Sequence, residues 1–203
     1  VGQFVQMSTI AVFGSASRIS ETTPERPQTY YGSSKLKADK ELMAMSDREF
    51  KAAIIRPPMA YGGGMAPGNM LRLIRLVNKH IPLPFGSARN SRDFINVKNL
   101  VEFIHLAVEK EVEGVFYPTD KVPYSTRNVV EEISRQLGVH TVNLPSPSIF
   151  LKLVEKVRPD LYQKLWGDVV IDRQLALSAI GYEPRYTLED GIREMVESFK
   201  QQK

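Results

Sequence analysis

The 203-residue chain has no cysteine, which excludes a disulfide framework, a thiolate metal site and a cysteine nucleophile. Histidine is scarce. His80, His105 and His140 lie far apart, without the i, i+4 spacing that sets two imidazoles on one helix face, so no metal centre is expected. His105 falls in the apolar run of an expected helix and reads as a packing or surface residue. Long hydrophobic runs are also missing: the stretches at 103–108 and 149–154 stop or meet a charge well short of the roughly 18 residues of a membrane span. No membrane partner is expected, and a cytoplasmic location is the default. The net charge of +4 is spread along the chain, with no block of about five or more like charges. That pattern favours anionic small molecules over nucleic acid. What remains is 42% hydrophobic and 25% charged, with 13 Gly and 13 Pro, a balance that builds a sizeable core and excludes disorder or a collagen-like repeat.

Strands and helices alternate along the chain. Gln3 to Ser8 reads as a short buried strand with no charged leader before it, so the chain reads as starting inside a fold. After the polar stretch Ser15 to Gln28, Ser33 to Met45 has helical spacing. Ala52 to Arg56 is a buried strand stopped by Pro57 and Pro58, and a glycine-rich loop from Gly62 to Gly68 leads into a helix capped by Asn69. Asp93 to Val97 and Gly114 to Tyr117 are strand-like, with a helix over Asn99 to Glu109 between them. Val129 to Leu137 is a helix closed by Gly138, and Thr187 to Asp190 opens the last helix as a capping box. The alternation predicts a mostly parallel α/β sheet.

Tyr31 and Lys35 stand four apart at a helix start, hence one turn apart on one face. An ammonium beside a phenol favours the tyrosinate and suits it to general acid–base work. Spacing alone is weak evidence, since chance gives roughly half a match in a chain of this composition, and Tyr117 with Lys121 is a second one. That second pair is followed by Pro118 and Pro123 and lacks the helical turn that would stack lysine beneath tyrosine. Ser8 and Thr9 place two hydroxyls at the carboxyl end of the first strand, where α/β sheets hold their ligands. The plain alternative is a Ser/Thr turn that satisfies the loop backbone.

Four ordered motifs resemble the extended short-chain dehydrogenase/reductases, in particular the NAD-dependent nucleotide-sugar epimerases, dehydratases and 4-ketoreductases. Thr9 stands five residues before Gly14, as the family's catalytic Ser or Thr does, and Tyr31 with Lys35 matches Y-x-x-x-K. Arg56 to Gly62 resembles R-P-x-x-x-Y-G, and Arg92 to Leu100 resembles R-D-F-I-x-V-x-D/N-L. Ile180 to Pro184 matches a common ending of these proteins. The resemblance implies that Thr9, Tyr31 and Lys35 are catalytic. Tyr31 would exchange the sugar hydroxyl proton, Thr9 would hydrogen-bond that hydroxyl, and Lys35 would bind the nicotinamide ribose and favour tyrosinate. Ser8 and Pro58 would lie beside the cofactor, NAD or NADP. Arg92 would clamp the nucleotide diphosphate with its planar fork of donors, joined by Asn69 at a helix start. Leu83 and Phe85 would lie along the base, uracil in a UDP-sugar.

The resemblance also implies the architecture: α/β, a partial Rossmann-type parallel sheet lacking its N-terminal half, with a smaller α/β substrate-binding domain. Residues 1–61 and 92–118 are assigned to the NAD(P)-binding part, and 62–91 and 119–203 to the substrate domain. Some positions depart from the pattern. Met59 stands where many 4-epimerases carry asparagine, and Phe13 replaces a tyrosine. An arginine that many members bring to the diphosphate falls on Leu165, leaving Arg158 or Arg173 as substitutes. The Gly-rich pyrophosphate turn is not among these residues, because Gly62 to Gly68 follows a strand broken by prolines and is spaced one residue too long. The chain therefore reads as a fragment of an NAD(P)-dependent epimerase or 4-ketoreductase acting at C4 of a UDP-hexose for surface polysaccharide, with a homodimer as the candidate assembly of the complete protein. The rival is a non-catalytic member that binds a nucleotide sugar or a protein partner.

Overall fold

A computed structural model describes residues 1–64, 68–177 and 180–202. In chain order its elements are β1 (Gln3–Met7), a 3-10 turn (Ile10–Phe13), β2 (Arg18–Ile19), α1 (Tyr30–Met45), β3 (Lys51–Ile55) and β4 (Met59–Tyr61). There follow α2 (Asn69–Asn78), β5 (Phe94–Asn96), α3 (Val97–Glu109), β6 (Gly114–Phe116) and α4 (Thr126–Leu137). The last are α5 (Ser148–Val157), α6 (Pro159–Leu165), β7 (Val170–Ile171), α7 (Arg173–Leu177) and α8 (Leu188–Gln201). They form two compact units, one of Val1–Ala60, Asp93–Val122 and Val169–Arg185, the other of Tyr61–Arg92, Pro123–Asp168 and Tyr186–Lys203. The architecture is α/β with a partial Rossmann-type parallel sheet. Among the described residues no helix is long and apolar enough to cross a membrane.

The first unit is built on the parallel sheet β1-β3-β6. β3 is its middle strand, and Ala52, Ala53, Ile54 and Ile55 are all fully buried, as expected of a parallel strand covered on both faces. Pro57 and Pro58 end it, since neither has an N–H to extend the ladder. One face carries α3, whose Leu100, Phe103 and Ala107 pack with Ile55, Ile95, Phe116 and Tyr182. A separate cluster joins Val12, Phe13, Ile19, Leu36 and Ile171. The stretch Val169–Arg185, which the sequence groups with the smaller domain, belongs to this first unit. The reason is pairing and packing: Arg18 and Ile19 lie opposite Val170 and Ile171 in parallel register, and the Tyr182 ring meets Phe103 edge-on at 5.2 Å. Burial, aided by the negative charges of Asp120 and Glu102, pushes the Tyr182 phenol above its usual range. It stays protonated and donates to the Asn99 carbonyl at 2.9 Å.

The second unit is organised by helices. α4 packs against both α2 and α8, using stripes such as Val129, Val130 and Ile133 or Ile192, Met195, Val196 and Phe199 at helical spacing. Two of the three caps read from the sequence are present. Gly138 ends α4 in the left-handed region at φ 71°, and Thr187 with Asp190 forms the reciprocal capping box of α8. At α2 the expectation fails: Gly68 is the cap, Asn69 is the first helical residue, and no side chain caps the helix. Residues 65–67 of the glycine-rich loop lie outside the described residues.

Candidate active site

Helix α1 begins at Tyr30 because the Thr29 hydroxyl accepts the Gly32 N–H at 3.0 Å, a normal N-cap. Three successive turns of α1 then touch the segment that leaves the carboxyl end of β1. At the first turn, a Cβ on Gly32 would stand 2.7 Å from the Ala11 carbonyl oxygen, so only glycine permits this approach beside Tyr31. At the second, Lys35 Nζ donates to the Met7 carbonyl at 2.9 Å. At the third, Asp39 Oδ2 accepts from Ser8 Oγ at 2.7 Å. Tyr31 itself is 57% exposed. The Thr9 hydroxyl accepts the Ala11 N–H at 3.1 Å, which leaves its own proton available for an outside oxygen. Gly14 closes the segment at φ 64°, where a Cβ would collide with the Arg26 carbonyl oxygen.

Ser8 and Asp39 belong to a buried ionic cluster that sequence reasoning missed. Arg56, 3% exposed, donates from Nε to Asp39 Oδ2 at 2.9 Å and pairs through Nη2 with Glu25 Oε1 at 2.7 Å. Its Nη1 donates to the Tyr117 hydroxyl at 3.3 Å, and its guanidinium lies 5.6 Å from the Phe13 ring centre. Burial works against the Arg56 charge, but Tyr117, Glu25 and Asp39 together hold it above its ordinary pKa. Tyr117 is thus bonded to Arg56 and not stacked on Lys121, and burial raises the pKa of its phenol against the lowering pull of Arg56. The readable signal was the series Tyr31, Lys35, Asp39, each four residues apart on one helix face. Pro58 is buried just beyond β3, and the carbonyl of Pro57 accepts the Ile10 N–H at 3.3 Å.

The remaining expected site residues, Asn69, Leu83, Phe85 and Arg92, lie in the second unit. Asn69 is exposed in the first turn of α2. Leu83 and Phe85 are only 4% and 3% exposed. Leu83 bridges to Asn143, and Phe85 packs on Trp166 with ring centres 5.2 Å apart, so both side chains belong to the core of that unit. Arg92 Nη1 donates to the carbonyls of Gln163 and Gly167 at 2.7 and 2.8 Å. Among the described residues its Nε and Nη2 form no hydrogen bond and no carboxylate forms a salt bridge with it. Burial therefore pulls its pKa below the usual guanidinium value, with Asp168 offsetting only part. The acid next to it, Asp93, is bonded elsewhere: to Arg173 Nη2 at 2.5 Å and to the Ile171 N–H at 2.7 Å. Arg173 also bonds Thr119 and the Asp120 carbonyl, which commits it to the first unit rather than to an external anion. His105 is a surface residue of α3, 3.8 Å from Glu109.

The NAD dependent epimerase/dehydratase family pattern matches residues 1–117. The chain is 33% identical over 211 residues to a UDP-glucose 4-epimerase of Vibrio cholerae, an alignment that takes in 99% of this chain and 64% of that protein. Its fold is similar to the UDP-glucuronic acid 4-epimerase of Bacillus cereus solved with NAD, at a TM-score of 0.76 and 22% identity, covering 98% of this chain and 61% of the other. It is similar also to the dTDP-glucose 4,6-dehydratase of Bacillus anthracis solved with NAD, at a TM-score of 0.70 and 21% identity, covering 97% and 61%. The chain thus spans less than two thirds of the length of these relatives. With the motif residues on α1 and at the end of β1, and with a pattern that fits more than half of its length, the chain belongs to the NAD dependent epimerase/dehydratase family.

Proposed function

We propose that the full-length protein is an NAD-dependent nucleotide-sugar epimerase or 4-ketoreductase that acts at C4 of a UDP-hexose in the cytoplasm, for surface polysaccharide. The observation that supports this best is the close seating of the first turns of α1 on the segment after β1, by Gly32 on Ala11 and Lys35 on Met7. It holds an exposed phenol, an ammonium and a hydroxyl at the carboxyl end of a parallel strand. Tyr31 takes the proton of the sugar hydroxyl and returns it, while Thr9 donates its remaining O–H to the sugar oxygen. Lys35 uses one of its three donors on Met7, so two remain for ribose hydroxyls. These residues fit the nicotinamide-ribose end of NAD, which when bound supplies the two-electron acceptor and donor for the C4 carbon. Ser8 and Pro58 would flank that end.

On the substrate side, Arg92 is a desolvated cation with unused donors, suited to a diphosphate. Asn69 would join it, and the backbone at Leu83 and Phe85 would run along uracil. The test is to incubate the full-length protein with UDP-glucose and UDP-galactose, separate the sugars and follow reduced cofactor in the same reaction. An epimerase interconverts sugars without net cofactor change, and a 4-ketoreductase consumes reduced cofactor on a 4-keto sugar nucleotide. Binding without turnover of any UDP-sugar would overturn the proposal in favour of a non-catalytic nucleotide-sugar carrier.

A further inference from the structure

We infer that Asp39, acting through Ser8 and Arg56, is a positioning residue for the reaction: it fixes the register of α1 against the end of β1 and so sets Tyr31 and Lys35 relative to Thr9. The inference rests on the acid–base reading of Tyr31 given above. Asp39 Oδ2 receives both Ser8 Oγ, at 2.7 Å, and Arg56 Nε, at 2.9 Å. Ser8 adjoins Met7, the acceptor of Lys35, on one side and Thr9 on the other. Asp39 lies one helical turn after Lys35 and two after Tyr31, so a single bond to Ser8 ties the catalytic face of the helix to the residue next to the catalytic hydroxyl.

The cluster is a poor device for stability. Asp39 is 1% exposed, and its Oδ1 is buried with no hydrogen-bond partner among the described residues, a costly arrangement for a carboxylate. Arg56 does not require Asp39 for neutralisation, because Glu25 pairs with it at 2.7 Å. Ser8, expected beside the cofactor, spends its proton on Asp39 instead. What the cluster supplies is direction: two donors, from the residues just past the ends of β1 and β3, converge on one oxygen of α1. Such convergence restricts the helix from sliding or rotating along the sheet. Misplacement by an ångström of reacting groups is enough to slow turnover severely.

The experiment uses the full-length enzyme at saturating NAD. Asp39→Ala should lower kcat by about tenfold or more while leaving the KM for the nucleotide sugar within about twofold, since the sugar diphosphate is held elsewhere. Asp39→Asn keeps an oxygen that accepts both bonds and should restore most of kcat. Ser8→Ala should lower kcat as well, and Ser8→Ala with Asp39→Ala should be no slower than the worse single variant, as expected within one network. If Asp39→Ala does not fold, Ser8→Ala and Asp39→Asn decide, because each leaves the Arg56–Glu25 pair intact. A normal kcat in Asp39→Ala, an Asp39→Asn as slow as the alanine variant, or multiplicative effects of the two sites would overturn the inference. Tyr31→Phe is measured alongside. If it is fully active, the acid–base reading itself fails; if it is inactive while Asp39→Ala is normal, only the positioning role fails.

Discussion

Arg56 and Arg92 are both guanidinium groups withdrawn from water, and the two units treat them in opposite ways. In the first unit Arg56 meets two carboxylates, a phenol and an aromatic face, and the balance raises its pKa. In the second unit Arg92 meets two carbonyls and is left with a lowered pKa. A cation matched by carboxylates inside the protein is committed to the fold, whereas one held by carbonyls alone keeps donors that an anion can use. Both residues sit in family motifs, so the motif alone does not separate the two uses.

The largest expected effect would come from breaking the matched side. Arg56→Ala leaves the buried Asp39 carboxylate without its cation, while the partly exposed Glu25 keeps Lys40 at 3.6 Å, and should cost about 3–5 kcal/mol. A urea unfolding midpoint of the full-length protein that stays near the parent value would show that Arg56 is not the hub of this cluster. Next comes the exposed phenol beside the matched cluster. Tyr31→Phe should lower kcat by roughly a hundredfold or more with little change in unfolding midpoint, because the ring is 57% exposed and its loss of a hydroxyl removes no packing. Turnover within a few-fold of the parent would remove it from the chemistry.

The unmatched side is tested by Arg92→Lys. Lysine can still donate to Gln163 or Gly167, but as a point charge it cannot span two phosphate oxygens as a planar fork does. UDP affinity by calorimetry should weaken about tenfold, with a stability change under about 1 kcal/mol. Unchanged affinity would make Arg92 a peg for the Gln163 and Gly167 carbonyls and nothing more.

Much of this arrangement is legible in the sequence, and the rest is hidden for identifiable reasons. Tyr31 and Lys35 can be read because helical spacing places them together without knowledge of any other element. Asp39 continues the same series, but its meaning depends on Arg56 and Ser8, which follow two strands whose adjacency no local pattern reveals. The two-residue strands β2 and β7 are too short for any periodicity, so Val169–Arg185 could not be assigned to the first unit by reading alone. Reading by motif also assigns Leu83 and Phe85 to a base without saying that both side chains are turned into a core. Capping is legible where a hydroxyl and its partner are local, as at Thr187, and fails at Asn69, where glycine takes the cap position.

The smallest effect separates charged from neutral design within the second unit. α8 and α4 open with the same reciprocal box, but its third position is Asp190 in one and Asn128 in the other. Bonds from the Thr187 N–H and hydroxyl, at 2.9 and 2.8 Å, followed by Arg193, hold the Asp190 carboxyl below the usual aspartate range. A folded pKa below the unfolded one means stability that is present above the unfolded value, near 3.9, and is lost as pH falls through the folded value. Asp190→Ala should therefore cost about 1 kcal/mol at neutral pH, and the part of that cost owed to the charge is lost as pH falls through the folded value, where the parent carboxyl is protonated. Asn128→Ala should cost a similar amount, but at every pH, because its amide does not ionise. Urea midpoints of the parent and both variants from neutral to acid pH make the comparison. Parallel curves for the two variants would show that the charge on Asp190 contributes nothing beyond what the neutral amide already supplies at α4.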